Sequence, residues 1–323
     1  MQAEQIDRLN QAVQQQRWSD ALSVYQAWLV EGASGASRMP AAERQHHLRN
    51  VDELHKHVFY GELKQMAGDN ARLHNTLERF CGRLAVAPEN ARQQPSFLYM
   101  PLGRQDAWFD SQSLLKPSAC QHATIARLQQ MARRVALDEQ RFERYLDHFD
   151  AVPEAADWVA LRQRWSSLHL MKNGQRVSDD PASRALLATL SESFALADCP
   201  PHAPEVFFSR LEPGGAIPPH YGLSNIKLTV HLPVVLHNSS SSLSVAGEQR
   251  FWQEGALLAF DDSFLHQASN PSDKERVVLI FDVWHPAIHE AEKPFLRELC
   301  ARFQRLSDDM TIAQRYLGDS SPA

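Results

Sequence analysis

Two histidines stand where the chain could hold a metal. His220 lies in Pro218-Pro219-His220-Tyr221-Gly222, and His266 closes Phe260-Asp261-Asp262-Ser263-Phe264-Leu265-His266; each falls at a junction between a strand-like run and a turn. Neutral imidazoles converging from two such rims would bind a divalent transition metal. With 15 histidines in 323 residues, a chosen pair is weak evidence by itself and has to be weighed with its neighbours. In Asn225–Leu232, the residues Ile226, Leu228, Val230 and Leu232 alternate with Lys227, Thr229 and His231, so a period of two puts the polar three on one face. Taken alone, that pattern suits a sandwich strand whose polar face meets solvent. The run Glu275–His285 differs, with Arg276, Val278, Ile280 and Asp282 facing one way and Val277, Leu279, Phe281 and Val283 the other. Apolar residues on both faces predict burial on both sides. A buried Arg276 then requires a partner, because an unpaired buried cation is very costly.

These residues fall in the stretch from Pro204 to about Trp284, where short runs of Val, Ile, Leu and Phe alternate with Gly, Pro, Asn and Ser clusters. That is the pattern of an antiparallel barrel or sandwich. Upstream, residues 97–203 are mixed, with helices expected over His122–Ala136 and Ala182–Ala195. The first ninety or so residues are helical throughout, with Leu9, Ala12, Val13, Trp18, Ala21, Leu22, Tyr25, Trp28 and Leu29 at spacings of three and four, followed by helices over Asp52–Met66 and Asn70–Leu84. The opening hairpin loosely resembles one tetratricopeptide unit, but no second copy follows at the period of about 34 residues that a solenoid needs. Ala87–Ser96, with Pro88 and Pro95, is expected to be a linker. The tail from Ala287 to Tyr316 returns to helix, with Phe295, Leu296, Leu299, Phe303 and Leu306 on one stripe, and is expected to pack on the β-core or close a dimer.

Composition narrows the function classes. A net charge of −6 and a pI near 6.2 give no basic footprint for nucleic acid or anionic membranes. No uncharged apolar run approaches the roughly 18 residues of a membrane span, and the polar, acidic N-terminus has no secretory pattern. Cys81, Cys120, Cys199 and Cys300 are far apart and expected to be reduced thiols, which points to a cytoplasmic protein. The sequon Asn238-Ser239-Ser240 is then irrelevant. Asp261 and Asp262 are expected to serve the turn they sit in, and Trp252, Phe281 and Trp284 the core.

The order of the candidate residues adds information that the pair lacks. A His-x-Gly element, a second His about 45 residues later and a strand Arg ten residues beyond resembles the layout of non-haem Fe(II), 2-oxoglutarate oxygenases. More specifically, four blocks in order resemble the aspartyl/asparaginyl β-hydroxylase family: Phe208-Ser209-Arg210-Leu211-Glu212-Pro213-Gly214, Pro219-His220-Tyr221-Gly222-Leu223-Ser224-Asn225, Phe260–His266, and Arg276 with Phe281-Asp282-Val283-Trp284-His285-Pro286. Weaker similarity runs through Phe97–Leu102 and Trp108-Phe109-Asp110. The resemblance implies an α+β chain. Its core would be a double-stranded β-helix of the jelly-roll or cupin kind at about 204–286, within a family domain of 95–290. A helical region at 1–92 and a helix and tail at 287–323 would flank that domain.

The same resemblance assigns roles. His220 and His266 would be the iron ligands, with Gly222 at the usual carboxylate position and so leaving a coordination site for water. Arg276 and Ser209 would bind 2-oxoglutarate and His231 would face it. Lys227, commonly arginine in the family, would lie near a carboxylate of cosubstrate or substrate as a point charge without the bidentate fork. Iron, 2-oxoglutarate and O2 would together hydroxylate an aspartyl or asparaginyl unit of a small molecule or peptide, releasing succinate and CO2. Rival expectations are a halogenase, since the glycine can also admit chloride, a proline or lipid hydroxylase of the same superfamily, and a non-catalytic barrel whose helices act as an adaptor. The N-terminal helices are expected to recruit a protein partner or shape the substrate site.

Overall fold

The computed structural model describes residues 3–32, 41–103, 106–117, 121–148, 155–237 and 240–303. By its contacts the chain forms two units, one of residues 1–81 with 294–323 and one of residues 82–293.

The first unit is helical, with α1 (Ala3–Gln14), α2 (Trp18–Gly32), α3 (Ala41–Ala67) and α4 (Ala71–Phe80). Ala12, Ala21, Leu22, Tyr25, Val51 and Leu54 form its core, so the expected three-and-four stripe is what packs. α4 starts where Asn70 caps it, the side-chain oxygen accepting from Arg72 N at 3.0 Å and Leu73 N at 3.2 Å. The described part of the tail clusters here: Phe303 meets Phe80 edge to face at 5.7 Å and Arg302 pairs with Glu62. Leu306 and the rest of the expected stripe lie outside the described residues.

The second unit carries twelve strands among its described residues: β1 (Trp108–Phe109), β2 (Glu143–Arg144), β3 (Trp165–Lys172), β4 (Gln175–Arg176), β5 (Val206–Leu211), β6 (Gly215–His220), β7 (Lys227–Val235), β8 (Ser242–Val245), β9 (Glu248–Phe251), β10 (Leu258–Phe260), β11 (His266–Asn270) and β12 (Arg276–Trp284). They make two antiparallel sheets. The larger runs β1-β10-β7-β12-β5-β3-β2, with β4 on β3, and the smaller runs β6-β11-β8-β9. Two facing sheets of this kind, with flanking helices, are the α+β double-stranded β-helix of the jelly-roll and cupin class.

Helices α5 (Gln121–Ala136) and α6 (Pro181–Ser193) cover one face of the larger sheet, where Leu128, Leu186 and Leu190 pack with Leu228, Val230, Leu279 and Phe281. The other face, with Trp165, Leu211 and Val278, packs on Ile217, Leu243, Val245 and Ala268 of the smaller sheet. This decides the direction of β7. Its apolar residues meet the helices, so Lys227, Thr229 and His231 point into the barrel at 6%, 7% and 6% exposure, not to solvent as the alternation alone suggested. β12 is buried on both faces as expected.

The expected linker is also more than a spacer. Gln93 is buried and donates to Asp261 Oδ2 at 2.8 Å, Gln94 N bonds Ser263 O at 2.9 Å and Phe97 N bonds Leu223 O at 2.9 Å. Residues 93–98 therefore strap the turns that precede His266 and follow His220. Cys199 is a buried free thiol, while Cys120, Asn238 and Ser239 lie outside the described residues.

Candidate active site

His220 ends β6 and His266 begins β11, and the two are paired Cα to Cα in the smaller sheet with ring centroids 4.1 Å apart. Each Nδ1 reaches a backbone oxygen two residues back, Pro218 O at 2.8 Å and Phe264 O at 2.9 Å. A carbonyl only accepts, so Nδ1 carries the proton in both rings and Nε2 keeps its lone pair. Burial, then the proximity of His220, pushes His266 down to about 4, and burial lowers His220 too. Both are neutral at physiological pH. That is the form, with the tautomer fixed from behind, that binds a metal.

Arg276 opens β12 at 2% exposure. Its Nη1 donates to Ser209 O at 3.3 Å and lies 3.5 Å from Ser209 Oγ, which also accepts from Trp165 Nε1 at 3.0 Å. The guanidinium rests over Trp252 at 4.5 Å. Its Nε and Nη2 have no partner, and among the described residues no carboxylate pairs with it. Burial draws it down to about 9, which still leaves it charged at neutral pH. His231 stacks on the same Trp252, with Nδ1 buried and unpartnered. Burial, then the charge of Arg276, holds it well below the ordinary imidazole range.

Lys227 is differently placed. Its Nζ lies 2.9 Å from Asp262 Oδ2 and 2.9 Å from Asp282 Oδ1, with Thr229 Oγ1 at 3.4 Å. Burial works against its charge, but the two carboxylates outweigh it and raise the pKa. Asp262 was expected to serve its turn. Asp261 does so, accepting from Ser263 N at 2.9 Å, but the Asp262 side chain turns inward and its Oδ1 is buried without a partner. A Cβ on Gly222 would stand 2.3 Å from Asp262 Cγ. The glycine therefore does not leave empty space: it makes room for the Asp262 carboxylate, supplied from another turn.

Ser209, His220, Gly222, Lys227, His231, Asp262, His266 and Arg276 all line one cavity of about 430 Å³. The structure thus brings together every residue the sequence singled out for the site. Reading the sequence missed the site roles of Asp262 and Trp165, and that of Trp252, whose expected place in the core holds. Asp262 adjoins the His266 block and is open to suspicion on that ground, whereas the tryptophans carry no local signal. The donor set fits a metal and an anion: two imidazoles with free Nε2 atoms, and an unpartnered guanidinium in the same cavity.

A double-stranded β-helix with two imidazoles and a buried cation on its inner face has donors that would suit a mononuclear metal and a small anion. The family model described as Aspartyl/Asparaginyl beta-hydroxylase matches residues 125–286, half of the chain, and spans His220, His266 and Arg276. The chain belongs to this family. It is 33% identical over 134 residues to the mouse aspartyl/asparaginyl beta-hydroxylase, covering 40% of this chain and 17% of that one. It is 32% identical over 188 residues to aspartate beta-hydroxylase domain-containing protein 2 of Xenopus tropicalis, covering 52% and 48%. The ornithine lipid ester-linked acyl 2-hydroxylase of Rhizobium tropici is 29% identical over 143 residues, covering 44% and 49%. The chain thus spans less than half the length of each of these three relatives. Among solved structures it is similar to a predicted oxalate decarboxylase of Thermotoga maritima, at 12% identity and a TM-score of 0.25, covering 38% of this chain and 81% of that one.

Proposed function

We propose that this chain is an Fe(II)- and 2-oxoglutarate-dependent dioxygenase that hydroxylates an unactivated C–H bond of an aspartyl or asparaginyl unit, free or in a peptide, at its β-carbon. The observation that carries the reading is Arg276: a charged guanidinium, buried and without a counter-ion among the described residues, in the cavity that holds His220 and His266. An uncompensated buried charge destabilises the fold, and an anionic ligand relieves it.

In this reading His220 and His266 hold the iron through Nε2, Arg276 and Ser209 hold the distal carboxylate of 2-oxoglutarate, and His231 flanks the keto acid. Iron, 2-oxoglutarate and O2 supply the oxidation, yielding succinate and CO2. The protein's part is to orient these groups and exclude water: Trp165 and Phe260 wall the cavity, and Trp252 backs Arg276 and His231. Lys227 contacts neither carboxylate of the cosubstrate; it positions Asp262 and Asp282. A halogenase is disfavoured because the space beside Gly222 is taken by a carboxylate that repels chloride. A non-catalytic barrel would carry the cost of Arg276 with no return. Among the described residues no helix is long and apolar enough to cross a membrane, and a lipid substrate ranks behind an amino-acid or peptide one. A cytoplasmic location and a partner for the N-terminal helices belong to the same proposal.

The test is calorimetry of 2-oxoglutarate with anaerobic, Fe(II)-loaded protein, followed by succinate release in air. Wild type should bind one equivalent. Arg276→Leu should retain iron and lose on the order of a hundredfold or more in affinity, as expected when one member of a buried charge pair, worth about 3 to 5 kcal/mol, is removed. An unchanged dissociation constant refutes the assignment.

A further inference from the structure

Lys172, Lys227 and Arg276 line the cavity, and they differ in what holds their charge. Lys227 Nζ lies 2.9 Å from both Asp262 Oδ2 and Asp282 Oδ1, so its charge is met inside the protein. Arg276 lies at the Ser209 and Trp252 end, where the proposed cosubstrate carboxylate goes. Lys172 is the last residue of β3, half-buried, and among the described residues no carboxylate pairs with it. Glu205, which lines the same end, is engaged elsewhere: Oε1 accepts from Asn173 N and Oε2 lies 3.5 Å from His169 Nδ1. The charge of Lys172 is felt inside the lining, where burial, then His169 and Lys172, hold His148 below the ordinary imidazole range. This end is the rim, since the exposed Asn173 and Leu223 also line the cavity. The two histidines lie on the far side, by β7: Phe260, paired in register with Thr229, packs on His266 at 5.5 Å. β5 and β12 separate β3 from β7, and three strand spacings of about 4.8 Å put those backbones roughly 14 Å apart. The floor between is flat and apolar, with Phe207 stacked on His169 at 5.0 Å and Ile280 next to it in register.

We propose that Lys172 is a substrate-recognition residue at the rim of the cavity, and that it receives the side-chain carboxylate of an acidic residue adjoining the hydroxylated unit. The inference rests on the hydroxylase reading and adds to it a residue that selects substrates by what flanks the reacting unit. The span from β7 to β3 exceeds what one residue of extended chain covers, about 3.4 Å, even with the lysine reaching inward, so the anion belongs to a neighbour and not to the reacting unit. Lys227 is no alternative receptor, because its two aspartates leave that group with a net negative charge that repels a further carboxylate. At Lys172 the carboxylate meets a cation with no internal partner and gains a charge-assisted hydrogen bond beside an apolar floor. Lys172 acts on specificity alone, since it lies three strands from the reacting atoms.

Isosteric dipeptides test it. Anaerobic, Fe(II)-loaded protein is first shown by calorimetry to bind 2-oxoglutarate, then titrated at neutral pH with the acetylated, amidated dipeptides Asn-Glu and Glu-Asn and their neutral counterparts Asn-Gln and Gln-Asn, with binding read by saturation-transfer NMR. In at least one order the glutamate peptide should bind about tenfold more tightly than its glutamine counterpart, as a hydrogen bond between charged groups provides. Lys172→Met should erase that difference and leave 2-oxoglutarate binding unchanged, which also shows that the variant is folded; Lys172→Arg should keep both. Equal binding of glutamate and glutamine peptides in both orders, a glutamate preference that survives Lys172→Met, or no binding of any of the peptides at millimolar concentration overturns the inference and leaves the hydroxylase reading standing. Absence of 2-oxoglutarate binding by the wild type sinks both.

Discussion

At the scale of residues, the site is defined by groups whose hydrogen-bonding capacity the protein leaves unused. His220 and His266 spend their N–H on carbonyls behind them and keep a lone pair in front. Either ring alone is a poor chelate, so His266→Ala should lose stoichiometric Fe(II) on gel filtration, measured by metal analysis; full metal content would speak against ligation. Gly222 is constrained by a neighbour and not by its backbone: a side chain there meets Asp262 at 2.3 Å. Gly222→Asp should therefore lower the melting temperature and weaken iron binding instead of completing a three-ligand site. Combining it with Asp262→Gly, which vacates the space, should restore both. If the single variant is as stable as wild type, the Asp262 carboxylate does not occupy that space.

At the scale of elements, the strands deliver their polar faces inward only because helices α5 and α6 cover the other face, and short loops then lock the rims. The loop carrying His202 is one such lock. Its Nε2 lies 2.6 Å from Ser224 Oγ, in the segment between His220 and β7, and its ring packs on Phe97 at 5.1 Å. Burial, then the charge of Lys227, holds His202 down to about 3. The folded protein thus keeps it neutral while the unfolded chain takes up a proton below about 6.5. The stability this contributes is complete above that pH and is lost as pH falls from about 6.5 towards 3, with a slope of at most about 1.4 kcal/mol per pH unit. His202→Gln should flatten the acid side of the stability profile measured by urea unfolding. A wild-type slope in that variant would show that the loop is not the acid-sensitive lock.

At the scale of the whole molecule, three core clusters among the described residues obey the division into two units: one draws on buried residues between Ala12 and Leu54, the other two on buried residues between Trp108 and Val283. A chain of residues 82–293 should accordingly fold, unfold cooperatively and bind Fe(II), whereas one starting at 99 loses the strap through Gln93 and Phe97 and should be markedly less stable. Insolubility of several 82–293 variants would show that the helices complete the catalytic core. The sequence by itself determined a good deal. Period-two alternation marked β7 and β12, the stripe of Leu9 to Trp28 marked the helical hairpin, and the order of His220, His266 and Arg276 marked the site, because these signals are local or survive as spacing. What each face of β7 meets is not a local property, since it depends on helices recruited from about 40 and about 100 residues upstream. Asp262 looked like a turn residue for the same reason: its destination is the space left by Gly222 and the charge of Lys227, which only folding brings beside it. Nor could spacing tell that Lys227 is neutralised while Arg276 is not. That difference arises from which carboxylates the two sheets place within 3 Å of each cation, and pairings across a sheet are decided by tertiary register.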